Sequence, residues 1–208
     1  MKNIEVEFRF QVTDEEKARD FLGRLEFIKK SKQKDVYFDT ESGDFYKRGI
    51  FIRTRDGRSL DFKFNLEDNA HEDCDEHSFS IPLTPKDKRR LNTVCKKLGL
   101  KMPKVIGFED FRNINNLKEF VVIEKVREKF KDNEFTYVFD DVRGFGFFIE
   151  IESMAMAGSD LEILKKRMKE KVSILNPEFI PVGYIEFFVR EMDFNLYKQG
   201  MYLFDEDR

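Results

Sequence analysis

Charged side chains recur at every second position along five stretches of this sequence, and that spacing sets ions side by side on one strand face. In Ile4-Glu5-Val6-Glu7-Phe8-Arg9-Phe10, the two-residue period places Glu5, Glu7 and Arg9 opposite Ile4, Val6, Phe8 and Phe10. Arg53 and Arg55 share a face opposed by Ile50, Ile52 and Thr54, and Asp61, Lys63 and Asn65 oppose Leu60, Phe62 and Phe64. Lys125, Arg127 and Lys129 align on a fourth stretch, and Glu150 and Glu152 oppose Phe147, Ile149 and Ile151 on a fifth. Any one of these fits a sheet with a single wet face. Five of them, each backed by Phe- and Ile-rich surface for helices to cover, fit ionic faces that meet inside a closed barrel.

Such an interior would hold both signs of charge. Unpaired buried charges are costly, so it must be wet or filled by ions and an ionic ligand. Clustered Arg and Lys suit phosphate oxygens, with Arg able to bind two at once. Paired carboxylates without a nearby His suit a hard divalent cation, Mg²⁺ or Mn²⁺. A metal with a polyphosphate is the combination that uses both sets.

Other chemistries lack their residues. The two histidines, His71 and His77, lie in the acidic stretch His71-Glu72-Asp73-Cys74-Asp75-Glu76-His77, which offers no Ser-His-Asp triad. A metal clip of His71, Cys74 and His77 wants a fourth ligand that is not evident. There is no Gly-rich phosphate loop, and Gly144-Phe145-Gly146 precedes a strand rather than a helix. With 24 Phe and 6 Tyr in 208 residues the chain is folded, and a net charge of −3 argues against a duplex-DNA binder that relies on an overall basic field. No run approaches 18 apolar residues. The start of the chain lacks an apolar leader, and Cys74 and Cys95 lie in unlike surroundings that suggest free thiols. The expectation is one soluble, cytoplasmic domain over residues 1–208 that neither binds duplex DNA nor enters a membrane.

The elements that must position these residues are mostly strands. After the first, Thr13 as cap and Glu16 three residues on predict a helix with an apolar stripe of Ala18, Phe21, Leu22 and Leu25. Asp35 to Asp39 reads as a strand turned over by Glu41-Ser42-Gly43-Asp44, and 50–55 with 60–65 as a hairpin around Asp56-Gly57. Residues 67–75 read as a polar loop, 77–83 as a strand, and Thr84-Pro85 as the start of a helix that Gly99 stops after Leu98. Residues 120–129 and 134–139 predict a hairpin turning at Asp132-Asn133, and 147–153 a last clear strand. Helices are expected over 159–175, capped by Ser159, and over 181–192.

Read in order, these stretches resemble the CYTH superfamily, the triphosphate tunnel metalloenzymes. Glu5-Val6-Glu7-Phe8-Arg9 stands where that family has E-x-E-x-K. Gln33-Lys34-Asp35-Val36-Tyr37-Phe38-Asp39-Thr40 is similar to its Q-x-D-x-Y-F-D-T, and Arg53-Thr54-Arg55 to its R-x-R. Asp61-Phe62-Lys63 and Lys125-Val126-Arg127 match the strands with a single Lys and with K-x-R. The run from Asp140-Asp141-Val142-Arg143-Gly144 to Phe148-Ile149-Glu150-Ile151-Glu152 is similar to D-x-V-x-G-L-G-x-F-x-E-I-E. The likeness spans roughly residues 4 to 190.

The resemblance implies an α+β fold, a closed antiparallel β-barrel of about eight strands forming a charged tunnel with helices packed outside. It implies Glu5, Glu7, Glu150 and Glu152 as metal ligands for Mg²⁺ or Mn²⁺, and Arg9, Arg53, Arg55, Lys63, Lys125 and Arg127 as triphosphate-binding residues. Glu5, Glu7, Arg9 and Asp140 would carry catalysis, Asp140 by ordering a basic residue or a water; Glu76 aligns only loosely. The implied partner is a small-molecule triphosphate, and a homodimer is compatible with a Phe-rich surface. The leading function is metal-dependent hydrolysis of a small triphosphate: inorganic triphosphate, thiamine triphosphate or a nucleoside triphosphate. The alternatives are a class IV adenylyl cyclase, which makes cyclic AMP and pyrophosphate from ATP, and a non-catalytic triphosphate-binding module. Three departures stand out: Arg9 replaces Lys, Val182-Gly183-Tyr184 replaces K-S-Y, and the 67–76 segment is acidic.

Overall fold

A computed structural model describes residues 4–66, 75–104, 107–155 and 160–208, with the side chains of Ile4 and Glu5 outside that description. Runs of strands are interrupted by helices along the chain, and every ladder given between strands is antiparallel. The chain divides into two units, Met1–Gln33 with Glu124–Pro181, and Lys34–Ile123 with Val182–Arg208. Two 14-residue strands, β2 (Glu26–Asp39) and β6 (Lys118–Lys131), run from one unit into the other. Among the described residues no helix is long and apolar enough to cross a membrane.

The first unit holds β1 (Ile4–Val12), α1 (Glu15–Leu22), β7 (Thr136–Val142), β8 (Gly146–Ala155), α4 (Leu161–Val172) and β9 (Glu178–Ile180). The alternation read from the sequence decides its core. Val6, Phe8, Phe10 and Val12 of β1 are buried with Tyr137, Phe139, Ile149 and Ile151, against Ala18 and Leu22 of α1 and Met168 and Val172 of α4. The reverse face of the same strands carries the ions. Both helix starts move from their expected positions. Asp14, in extended conformation, accepts the Lys17 N–H at 3.0 Å and caps α1 in place of Thr13. Asp160 accepts from Glu162 and Ile163 and caps α4, while Ser159 lies outside the described residues. That helix ends at Val172 and passes into a tighter turn over Ser173–Leu175.

The second unit holds β3 (Ile50–Arg55), β4 (Ser59–Phe64), β5 (Asp75–Ser80), α2 (Lys88–Leu98), α3 (Phe108–Ile114), α5 (Tyr184–Met192) and α6 (Phe194–Tyr197). Its hairpin turns at Asp56 and Gly57, whose φ angles of 53° and 63° give the two left-handed residues that a tight β-turn of this hand requires. Phe38, Ile50, Ile52, Phe62, Phe64 and Phe79 pack with Leu91, Val94, Cys95 and Leu98 of α2 and Phe111 of α3. Gly99 ends α2 as expected, with φ 75°. That helix begins at Lys88 rather than Thr84, because Thr84 and Asp87 close a turn of their own through the Thr84 hydroxyl at 2.6 Å. The strand expected over 77–83 ends at Ser80, and α5 begins at Tyr184 rather than 181.

The strand order is β5-β4-β3-β2-β6-β7-β8-β1-β9. The expectation of a large antiparallel sheet with helices is met, while closure into a barrel is not shown: β5 and β9 stand at the two ends of this order. β9 has three residues, paired with Arg9–Gln11 of β1, and β5 pairs along its length with β4. Among the described residues the strand count is nine, with β9 the addition to the eight expected.

Candidate functional site

In the first unit, register alone brings the charged positions together. Arg9 lies across from Glu150 and Glu7 from Glu152 in the β1–β8 ladder, and Arg127 across from Asp140 in the β6–β7 ladder. The side chains then interlock. Arg9 donates to Glu150 through Nε at 2.7 Å and to Glu7 through Nη2 at 2.7 Å. Arg127 donates to both Asp140 oxygens, at 2.7 and 2.5 Å, and through Nη2 to the second Glu150 oxygen at 2.7 Å. Lys125 Nζ stands 3.5 Å from Asp140, and Lys129 donates to Glu152 at 3.0 Å. Apolar neighbours on this face, Val138 and Phe148, are 1% and 0% exposed, so the ions are only partly open to water.

Burial makes the pairing obligatory. Asp140 is fully buried and Glu150 nearly so, and a carboxylate at such depth survives only with charged partners. Burial pushes the Glu150 carboxyl up, but Arg127, Arg9 and Lys125 outweigh it and hold the group well below the usual carboxylate range. Glu152 goes the other way: burial raises its pKa, and Lys129 offsets this only in part. Arg127 is thus fixed by a two-pronged contact on an inflexible aspartate, and Glu150 is shared by two guanidinium groups.

Carboxylate oxygens of Glu7, Glu150 and Glu152 lie within 4.8 Å of one another. Three oxygen donors at that spacing form an acidic cluster able to hold a hard divalent cation, and the absence of His and Cys from the set disfavours a soft metal. The side chain of Glu5, the fourth expected ligand, lies outside the described residues.

The second unit carries its own cluster on β2 to β5. Arg55 clamps Asp35 with Nε and Nη2 at 2.7 and 3.0 Å. Arg53 donates to Asp61 at 3.3 Å and to the Tyr37 hydroxyl at 3.3 Å, with Asp35 at 3.6 Å. Burial tends to lower the Arg53 pKa, but Tyr37, Asp35 and Asp61 together raise it, so its charge is permanent. Burial likewise raises the Tyr37 hydroxyl, which makes it a hydrogen-bonding wall rather than a base. Ser78 donates to Asp61 at 2.6 Å, and Lys63 pairs with Glu76 at 3.0 Å.

Arg9, Lys125, Arg127, Asp140, Glu7, Glu150 and Glu152 are therefore gathered in one unit, and Arg53, Arg55 and Lys63 in the other. Asp39 is structural: its carboxylate accepts the backbone N–H groups of Thr40, Phe45 and Tyr46. His77 stacks on Phe64, while His71 and Cys74 of the weighed metal clip lie outside the described residues, as does most of the acidic 67–76 segment. Three participants were not among the site residues expected from the sequence: Lys129, Asp35 and Asp61. The signal for Lys129 was its place in line with Lys125 and Arg127; for the aspartates it was the strand register, which a linear reading does not supply.

The sequence model of the CYTH domain matches residues 3–182. A protein of Methanocaldococcus jannaschii, provisionally named an adenylate cyclase, is 29% identical over 174 residues, which is 83% of this chain and 87% of that one. A conserved hypothetical protein of Pyrococcus furiosus has a structure that superposes with a TM-score of 0.53 at 27% identity, covering 88% of this chain and 98% of that one. A Hippeastrum protein, provisionally an adenylyl cyclase and described as revealing a dominant triphosphatase activity, superposes with a TM-score of 0.60 at 16% identity. It covers 91% of this chain and 96% of its own, and at that identity the likeness concerns the fold.

Proposed function

Because the chain belongs to the CYTH domain family, we propose that it is a divalent-metal-dependent hydrolase acting on a small triphosphate. The observation that carries this reading is the position of Glu150, which sits between Arg9 and Arg127 while its oxygens lie beside those of Glu7 and Glu152. Carboxylates for a cation and guanidinium groups for phosphate oxygens are interleaved on one face. A module that only binds phosphate needs the second set alone.

Glu7, Glu150 and Glu152, with Glu5, would hold Mg²⁺ or Mn²⁺, which when bound supplies Lewis acidity to a phosphoryl oxygen. The chain's own residues do the rest. Arg9, Lys125 and Arg127 receive the phosphate oxygens and neutralise charge as it shifts to the departing diphosphate end of the substrate. Asp140 keeps the Arg127 fork in one orientation. Arg53, Arg55 and Lys63 are proposed as further triphosphate-binding residues on the family likeness. Arg9 acts through charge and hydrogen bonds alone, since a guanidinium does not give up its proton at working pH. Attack by water on the terminal phosphorus gives orthophosphate and the shortened chain.

The name of the Methanocaldococcus relative favours a second reading, in which the ribose 3′-hydroxyl of ATP attacks the α-phosphorus and releases pyrophosphate. Product analysis separates the two. The protein is offered inorganic triphosphate, thiamine triphosphate and ATP with Mg²⁺ or Mn²⁺. Orthophosphate release that a chelator abolishes, and that Glu7→Gln removes, supports hydrolysis. Cyclic AMP with pyrophosphate makes it a cyclase, and tight binding without product under either metal refutes both.

A further inference from the structure

Charge is spread unevenly along this chain. Between residues 86 and 104 the sequence places eight Lys and Arg against one acid, Asp87, in a chain whose net charge is −3. These residues are α2 and its flanks in the second unit. The helix Lys88–Leu98 contains no acidic residue at all. Its apolar stripe of Leu91, Val94, Cys95 and Leu98 is at most 3% exposed and sealed in the core. The opposite stripe runs through Lys88, Arg89, Asn92, Thr93 and Lys96, of which all but the half-buried Asn92 are exposed. Arg90 lies over the Phe79 ring, and Lys97 lies over Phe64 and pairs with Asp75. The remaining six cations, Lys86, Lys88, Arg89, Lys96, Lys101 and Lys104, have no ion pair among the described residues. The other long surface helix, α4, mixes Glu162 and Glu170 among its lysines and pairs them, as an ordinary solvated face does.

A one-signed face must find its counter-charge outside the protein. A basic amphipathic helix commonly serves a membrane or a helix-binding partner, but both uses need the apolar stripe, which here is occupied by the core. What remains available is charge with two neutral hydrogen-bonding side chains between. Arg89 and Lys96 are seven residues apart, about 10 Å along the axis, a span of one to two nucleotides of an extended strand. No exposed aromatic on α2 offers a stacking platform, so recognition would be of the backbone and indifferent to base.

We propose that the exposed face of α2 is a docking surface for the phosphate backbone of single-stranded RNA. It stands apart from the phosphohydrolase reading and can fail without it.

The test is fluorescence anisotropy of a 5′-fluorescein 20-nucleotide RNA, without a 5′-triphosphate, titrated with the full chain in EDTA over a range of KCl concentrations. Wild type binds at low salt, and log K falls with log salt with a slope of about −4 if all six cations engage. Combining Lys88→Glu, Arg89→Glu and Lys96→Glu reduces that slope by about 2 and weakens binding at least about tenfold. Circular dichroism confirms the fold, inorganic triphosphate turnover is unchanged, and the Lys88→Gln, Arg89→Gln, Lys96→Gln set gives an intermediate loss. No anisotropy change at 50 mM KCl with about 100 μM protein overturns the proposal. So does equal binding by wild type and the charge-reversed form, or cosedimentation with phosphatidylserine vesicles when the RNA is not bound.

Discussion

Replacing Asp140 by Asn tests whether the ion network of the first unit is as tight as its distances say. Asp140 is fully buried and receives two contacts from Arg127, at 2.7 and 2.5 Å, with Lys125 at 3.5 Å. The four carboxylates of this network, Glu7, Asp140, Glu150 and Glu152, face four cations, Arg9, Lys125, Arg127 and Lys129. Asparagine removes one negative charge and turns an N–H₂ toward a guanidinium, so a donor meets a donor. Losing one partner of a buried pair costs about 3–5 kcal/mol. Arg127 keeps its bond to Glu150 and is 17% exposed, which places the expected loss near the lower end, about 3 kcal/mol. For a chain of this length that corresponds to a fall in Tm of roughly 6–12 °C. Urea unfolding and calorimetry at pH 7 without metal measure it. Inorganic triphosphate should recover part of the loss, because it supplies anions to the orphaned cations. A change below about 0.5 kcal/mol, the ordinary range of surface substitutions, would refute the claim that burial makes this pairing obligatory.

Glu152→Gln relieves a carboxylate whose pKa burial already raises, so the urea midpoint without metal should stay at or above wild type while the midpoint shift caused by Mn²⁺ disappears. Asp132 behaves oppositely: burial pushes its pKa up, but the N–H groups of Phe135 and Glu134, the Tyr137 hydroxyl and Lys171 outweigh that and lower it. Its contribution is therefore complete above the unfolded value of about 3.9 and fades as pH falls through the lower folded value, so the destabilisation by Asp132→Ala should be full at pH 7 and shrink in acid unfolding below about pH 4. Burial pushes the Cys95 thiol up to about 11; in a Cys74→Ser background, native protein at pH 8 should take up no thiol reagent until it is unfolded. Gly49 sits at φ 64°, where an added Cβ would stand 2.8 Å from Met201 Sδ and 2.9 Å from Tyr202 Cε2, so Gly49→Ala should cost about 1–3 kcal/mol in the same urea assay.

How far the sequence could be read depended on whether a signal was periodic. Alternation in β1 and β8 separated Phe8 and Ile151 from Glu7 and Glu150 without any knowledge of pairing. The pairing itself was not legible: that Arg9 meets Glu150 rather than another carboxylate follows from a register between positions 141 residues apart. The same gap hid Asp35, whose partner Arg55 lies across a ladder. The first half of β2 escaped notice because Lys29-Lys30-Ser31-Lys32 has no apolar alternation, and most of that half is exposed. Helix α3 spans seven residues and buries one side chain, Phe111, too little to show a helical period. Caps slipped by a residue where Thr13 stands beside Asp14, since either can begin a helix and only the backbone geometry chooses. Whether the sheet closes was beyond reach, because closure depends on whether terminal strands meet, and no local pattern records that.

The Glu150 carboxylate, divided between Arg9 and Arg127, has a thermodynamic consequence. At rest the cluster is its own counter-ion, so an anion must detach a guanidinium from Glu150 and a cation must detach Glu150 from a guanidinium. Each ligand removes the obstacle the other faces. Cation and anion affinities are then linked by a single favourable coupling free energy, negative in sign, and the factor by which one strengthens the other must be the same in both directions. The resting network is a lock with two keys, each of which turns more easily once the other is in place.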